Sequence, residues 1–241
     1  MENAITVKDL HIVYKGLKKF SIKKTFFSRT REKADLFEAV KGVSFEVEKG
    51  KILGVVGKNG SGKSTMLRAI AGIFSPDSGS IDLHGHSVSL LSIGVGFQPK
   101  LSGYENIFLS GMLLGFSKEQ IKEKIDDILE FAAIGDFIHK PVNTYSSGMH
   151  SKLAFAITAI LETDIMLIDE VLSVGDVKFK KKSYDKMREL ISDANRTVII
   201  VSHNSEQLRQ LCDEILWIHE GVKKMQGDPE TVLAAYEEFM K

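Results

Sequence analysis

The sequence predicts an α/β fold in which a parallel-sheet core is interrupted by an all-helical insertion. Three observations predict it. Short runs rich in Ile, Val and Leu alternate with helical periods in both flanks of the chain. Two of these runs, KILGVVG and DIMLID, are apolar almost throughout, as strands covered on both faces are. From Tyr104 to about Leu161 the pattern holds helical periods and no convincing strand.

Alternating apolar residues in AITVKDLHIVY predict an edge-type strand at the start. Residues 15–35 break that pattern. They carry Lys15, Lys18, Lys19, Lys23, Lys24, Arg29, Arg31 and Lys33 against Glu32 and Asp35, with Phe20, Ile22, Phe26 and Phe27 interleaved. This basic, aromatic insertion reads either as a solvated excursion or as a membrane-proximal segment near anionic headgroups or a lipid pyrophosphate. Strand signals resume at LFEAVKGVSFEVE and at ILGVV. A helix is predicted over Ser64 to Gly72, and IFSPDSG is turn chemistry. His84 and His86 read as hairpin residues. In the insertion, KEQIKEKIDDILEFAAI aligns Ile121, Ile125, Ile128, Leu129 and Ala132 on one helical stripe. Strand and helix then alternate again through DIMLID, DVKFKKKSYDKMRELISDA, RTVIIVSH, EQLRQLC and DEILWIHEG. PETVLAAYEEFMK is a further helix with Pro229 in its first turn. The run from Lys178 to Lys182 reads as a solvated face, Cys212 as a small buried apolar residue, and Trp217 as core.

Composition narrows the class. Of 241 residues, 43% are apolar and 27% charged, which is globular and excludes wholesale disorder. Lys plus Arg and Asp plus Glu are 32 each, so the chain lacks the cationic excess of a general nucleic-acid binder. No apolar run approaches the roughly 20 residues of a membrane span, and the start is no secretory signal. One cysteine forbids an internal disulfide and fits a reducing compartment. The expectation is a cytoplasmic protein.

Two motifs carry chemistry. Gly57-Lys58-Asn59-Gly60-Ser61-Gly62-Lys63-Ser64 follows a strand and opens a helix, the required context of the G-x-x-x-x-G-K-[ST] phosphate loop. Its glycines let backbone N–H groups curl around phosphates, and the helix presents its positive end to them. Lys63 is expected to reach the β and γ phosphates, Ser64 to ligate Mg²⁺, and Thr65 to bind the α phosphate. The second motif is the apolar strand ending in Asp169-Glu170, acids placed where ligands bind in parallel sheets. Asp169 is expected to hold Mg²⁺ through water, and Glu170 to polarise an attacking water.

With these motifs stand Tyr145-Ser146-Ser147-Gly148-Met149 before a helix, Gln98 in GVGFQP and His203 after TVIIVS. On all five, in order, the chain resembles the ABC transporter ATPases over nearly its whole length. The resemblance implies an α/β P-loop NTPase ABC cassette: a parallel-sheet core with an antiparallel β subdomain and an all-helical insertion. It implies one nucleotide-binding domain over 1–241, with core 1–96 and 163–241 and a helical subdomain at about 97–162. It also implies roles. Ser146, Ser147, Gly148 and Met149 match the signature motif, which contacts ATP held by the other subunit of a homodimer. Gln98 joins the Mg²⁺ shell and couples the insertion to transmembrane permease subunits, docked near Gln98 through Leu114. His203 binds the γ phosphate and, with Glu170, the attacking water. Asp176 matches an acid at the dimer interface. Tyr14 is the ring expected against adenine, with Phe37 the second candidate.

The combination of YSSGM, DEVLSVGD and the basic insertion resembles one branch, exporters of lipid-linked cell-surface polysaccharides. Within it the chain is similar to teichoic-acid and O-antigen export ATPases. The branch implies an ATP hydrolase peripheral to the cytoplasmic face of the membrane, exporting teichoic acid, or alternatively O-antigen or capsular glycan. The sequence as given carries no carbohydrate-binding domain after the cassette, so the substrate is expected to be read through its lipid head or by the permease. A ribosome-acting relative would carry two cassettes, and a DNA-repair relative a long coiled coil between Ser64 and Tyr145. A catalytically dead or regulatory subunit is disfavoured by Lys63, Gln98, Glu170 and His203 occurring together.

Overall fold

The computed structural model describes residues 2–15, 36–91, 96–169, 176–193 and 195–241. The basic insertion, Glu170 and the VLSVG stretch after it lie outside the described residues.

Two sheets meet at the phosphate loop. Strands β1 (Asn3–Lys15), β2 (Leu36–Glu48) and β4 (Ser78–Asp82) form an antiparallel sheet in the order β2-β1-β4. Strand β1 is therefore central, which corrects the edge-strand expectation. Its second partner lies some seventy residues downstream in SGSID, a strand too polar and exposed to announce itself. The other sheet runs β5-β6-β7-β3-β8-β9, built from β3 (Ile52–Val56), β5 (Val88–Leu91), β6 (Ile165–Asp169), β7 (Thr197–Val201), β8 (Glu214–His219) and β9 (Val222–Gly227). All its pairings are parallel except β8 with β9. His84 and His86 do not sit in a hairpin, because β4 and β5 on either side of them belong to different sheets. His84 Nε2 instead lies 2.9 Å from Thr6 Oγ1 on β1.

Alternation along the parallel strands explains why they read as continuously apolar. Ile165 and Leu167 pack toward β1, β2 and helix α1 (Lys63–Ile70), whereas Met166 and Ile168 pack toward the helices on the other face. Both faces are dry, so no position in the strand interior needs a polar residue.

The insertion comprises α2 (Gly103–Leu113), α3 (Lys118–Glu123), α4 (Ile125–Ala132), two short 3₁₀ turns and α5 (Ser147–Ile160). The stripe predicted across residues 118–134 is buried as expected at Ile121, Ile128 and Ala132, but the helix is broken at Lys124 between α3 and α4. Helices α2 and α3 each open on a complete capping box, from Ser102 with Glu105 and from Ser117 with Gln120. Helices α6 (Val177–Ile191), α7 (Ser205–Leu211) and α8 (Pro229–Phe239) complete the layer, with Pro229 at the start of α8. Lys182 is not merely solvated. It donates to the carbonyls of Glu130 and Phe131 at the carboxyl end of α4, and its ammonium lies 4.3 Å from the Phe131 ring centroid. Trp217 and Cys212 are buried as expected.

Candidate functional site

The site is built at the carboxyl ends of β3, β6 and β7. Strand β3 delivers the phosphate loop, and Gly62 turns it into α1. Gly62 has φ +99°, and a Cβ there would meet the Ala39 carbonyl at 2.2 Å. At Gly57 a Cβ would meet the Ile218 carbonyl at 2.1 Å. These two glycines are demanded by backbone on either side of the loop. Lys58 O accepts from Ser61 N at 3.1 Å, closing the turn between them. Lys63, 6% exposed, donates from Nζ to Gly57 O at 2.7 Å and to Lys58 O at 3.0 Å. Its ammonium thus lies in the curve of the loop, among the groups where the motif places phosphates.

Across the loop, Ser64 Oγ donates to Asp169 Oδ1 at 2.9 Å, joining α1 to the end of β6. Asn59 through Thr65, Asp169, His203, Val201, Ala39 and Phe37 line one cavity of about 260 Å³. The structure thereby brings together most of the predicted phosphate-site residues. Phe37, 60% exposed, is the aromatic side chain in that lining. Tyr14 lies directly across from it in the β1–β2 register and donates its hydroxyl to Thr65 Oγ1 at 3.3 Å. Both rings therefore stand beside the loop.

Other predicted residues lie elsewhere. Gln98 is exposed and does not line the cavity. Its backbone is fixed by Asn106, a residue that the sequence reading missed. Asn106 is fully buried on α2, accepts from Gln98 N at 2.7 Å and donates to the carbonyls of Gln98, Leu101 and Ser102. One signal was available: an Asn inside a helical period, where it is intrinsically unfavourable unless its side chain is bonded. Ser146 caps α5, accepting from Met149 N at 3.2 Å, and Ser146 and Ser147 are exposed. None of Ser146, Ser147, Gly148 and Met149 lines the phosphate cavity. Asp176 caps α6 by accepting from Phe179 N, and its other oxygen takes Lys152 Nζ of α5 at 2.6 Å. The Lys152 ammonium, with the Phe179 N–H, holds the Asp176 carboxyl down at about 2. Tyr145 is pushed up by burial while its hydroxyl donates to Phe137 O at 2.7 Å, and His150 on α5 is pushed down by burial, its ring 4.8 Å from that of Phe97.

A phosphate loop at the end of a central parallel strand, with an acid and a histidine from the next two strands, defines an ATP-binding cassette of the α/β phosphate-loop class. The fold is that of solved cassettes: the dimeric post-hydrolysis state of the cassette MJ0796 bound to ADP and Pi superposes with a TM-score of 0.69, at 20% identity, over 93% of this chain and 98% of that one. The ABC transporter family profile matches residues 40–173. The chain belongs to the ABC transporter family. Among its relatives, the teichoic acids export ATP-binding protein TagH of Bacillus anthracis is 44% identical over 93% of this chain and 40% of its own length. TagH of Levilactobacillus brevis is 41% identical over 100% of this chain and 67% of its own length. The O-antigen export system ATP-binding protein RfbB of Myxococcus xanthus is 41% identical over 87% of this chain and 48% of its own length. The chain thus spans between two fifths and two thirds of the length of these curated relatives. Among the described residues no helix is long and apolar enough to cross a membrane.

Proposed function

We propose that the chain is the ATP-hydrolysing subunit of an ABC exporter that drives a lipid-linked cell-surface polysaccharide, teichoic acid in the first instance, across the membrane together with separate permease subunits. The observation that carries the hydrolase half is the single cavity joining the phosphate loop, Asp169 and His203. In this reading residues 1–241 are one nucleotide-binding domain, working at the cytoplasmic face of the membrane.

The loop N–H groups from Gly57 to Gly62 receive the phosphates of ATP, and Lys63 turns from the loop carbonyls to the β and γ phosphates. Ser64 and Asp169 fit Mg²⁺, for they are oxygen donors already 2.9 Å apart beside the loop, and this ion uses few protein ligands alongside phosphate oxygens. Gln98, which lies outside the cavity lining, would complete that set. When bound, Mg²⁺ neutralises charge on the β and γ oxygens. Glu170 accepts the proton of the attacking water, and His203 orients that water and the γ phosphate, so that the protein's contribution is position and charge. Tyr14 stacks on adenine, with Phe37 as the alternative ring. Because Ser146 and Ser147 are exposed and none of Ser146 to Met149 lines the cavity of their own chain, a second copy places them on the γ phosphate in a homodimer, with Asp176 near the junction.

The permease docks where Phe97, Leu113 and Leu114 line an apolar cavity of about 220 Å³ between core and insertion. Leu113 there is 64% exposed. The polymer assignment is supported by the TagH relatives; O-antigen or capsular glycan is the second reading, supported by the RfbB relative at almost the same identity.

The test is ATPase rate in liposomes holding the protein with its permease. Selective stimulation by lipid-linked polyol-phosphate chains over lipid-linked neutral glycans is the expected result. Equal stimulation by both transfers recognition to the lipid pyrophosphate end. Basal hydrolysis without stimulation by either defeats the polysaccharide assignment and leaves the hydrolase standing.

A further inference from the structure

The phosphate loop is held from a side that its motif does not explain. Strand β8, the turn after it and helix α8 each touch the loop. Ile218 O of β8 sits against Gly57 so closely that no side chain fits there. In the turn, where Glu220 and Gly221 have φ of +49° and +83°, Gly221 N donates to Ser61 O at 3.1 Å and Gly221 O accepts from Lys41 N at 2.8 Å. At the end of α8, the Phe239 ring receives the Lys58 ammonium at 5.5 Å from its centroid. The same ring packs edge-on against Trp217 at 5.2 Å and His219 at 4.8 Å, both on β8.

Helix α8 is itself pinned. Arg209 of α7 makes a two-pronged contact with Glu237 at 3.0 and 3.1 Å and reaches Glu230 at 3.3 Å. That anchors the first and last turns of α8 and so fixes where Phe239 lies. Phe239 is nonetheless 48% exposed, so contacts with Trp217, His219 and Lys58 account for the part of the ring that is covered. Lys58 matters to the loop through its carbonyl, which accepts from both Ser61 N and Lys63 Nζ. Holding the Lys58 side chain therefore holds the peptide that sets the loop's turn and its lysine.

We infer that Phe239 is a positioning residue for nucleotide binding: it clamps Lys58 from α8 and keeps the first half of the phosphate loop in its phosphate-receiving shape. The inference rests on the hydrolase reading above. Ordering that half of the loop before phosphate arrives removes an entropy loss from binding, so the clamp acts on affinity for ATP and ADP alike and not on the chemical step. An exposed cation–ring contact is worth enough to change a binding constant about 2- to 5-fold.

The experiment is a double-mutant cycle on the full chain with Phe239→Leu, Lys58→Met and both together, reading Kd for ATP and ADP and the kcat and KM of hydrolysis. The expected result is a 2- to 5-fold rise in Kd for both nucleotides and in KM for each single variant, with kcat unchanged in Phe239→Leu, and a double variant no worse than the weaker single. Phe239→Tyr, which keeps the ring face, binds like wild type. Wild-type Kd in Phe239→Leu, or effects of the two substitutions that multiply, overturns the inference. If Phe239→Leu fails to fold, Lys58→Met alone decides, since its side chain is on the surface: unchanged Kd for both nucleotides refutes the clamp. A wild-type chain that binds neither nucleotide would bring down the hydrolase reading together with the clamp, a different result from wild-type binding with insensitive variants.

Discussion

Lys63 makes the residue-scale case most directly. A buried ammonium tolerates its desolvation here because two loop carbonyls accept from it, and in the proposed reading phosphate oxygens replace those contacts with a stronger, charged partner. Lys63→Ala should lower ATP turnover by about 10²-fold or more with little change in fold, checked by phosphate release and circular dichroism. Gly62→Ala should be worse for the fold, since the new Cβ meets the Ala39 carbonyl and the backbone sits at positive φ; loss of thermal stability by about 1–3 kcal/mol is the expected reading. Cys212 is the opposite kind of residue. Burial pushes its thiol up to about 12, so at pH 8 its modification by a disulfide reagent should run roughly 10³-fold slower than that of a free thiol, and should speed up on unfolding. The loop, Asp169 and His203 were legible because each motif fixes spacing along a strand–turn–helix unit. Asn106 was not, because its importance lies in three carbonyls that only the folded loop brings within its reach.

At the scale of elements, the ends of helices explain what was read and what was not. Helix α6 was legible from its apolar period, but its attachment to α5 was not, since Asp176 and Lys152 are distant in sequence and meet only when both helices pack on the sheet. That contact has a pH signature. The Asp176 carboxyl lies below its ordinary value of 3.8, at about 2, so the stability it contributes is fully present above 3.8 and is lost as pH falls through 2. Asp176→Asn keeps a capping side chain while removing the charge. It should lower Tm by at most about 3 °C at pH 7 and by clearly less at pH 2, where about half of the carboxyl groups are already protonated, measured by thermal unfolding at both values. Strands tell a similar story. Strands β3, β6 and β7 announce themselves because both faces are buried. Strand β4, exposed at most positions, and β5, only four residues long, carry too little pattern. With β4 unseen, nothing corrected the edge reading that the alternation along β1 suggested.

For the whole molecule, the placement of helix α5 bears on the homodimer proposed as the working unit. Helix α5 begins with exposed Ser146 and Ser147, and its capped N-terminus, with its positive end outward, is turned to solvent instead of to the phosphate cavity of the same chain. A charged phosphate is the partner that such a helix end suits. Two copies arranged head to tail would set each α5 start over the other's phosphate loop, sealing ATP from water and completing the charge around the γ phosphate. The assembly should then depend on nucleotide. Glu170→Gln, which in the proposed reading removes the base, should bind ATP yet lose steady-state turnover. With ATP and Mg²⁺ its mass in light scattering should rise from 26.8 kDa toward twice that value, while ADP should leave it single. Gly148→Asp in the same background should bind ATP normally and stay single, because a carboxylate at the start of α5 would repel the partner's γ phosphate. A monomeric Glu170→Gln at saturating ATP, or a Gly148→Asp chain that still pairs, would remove the head-to-tail dimer as the catalytic unit.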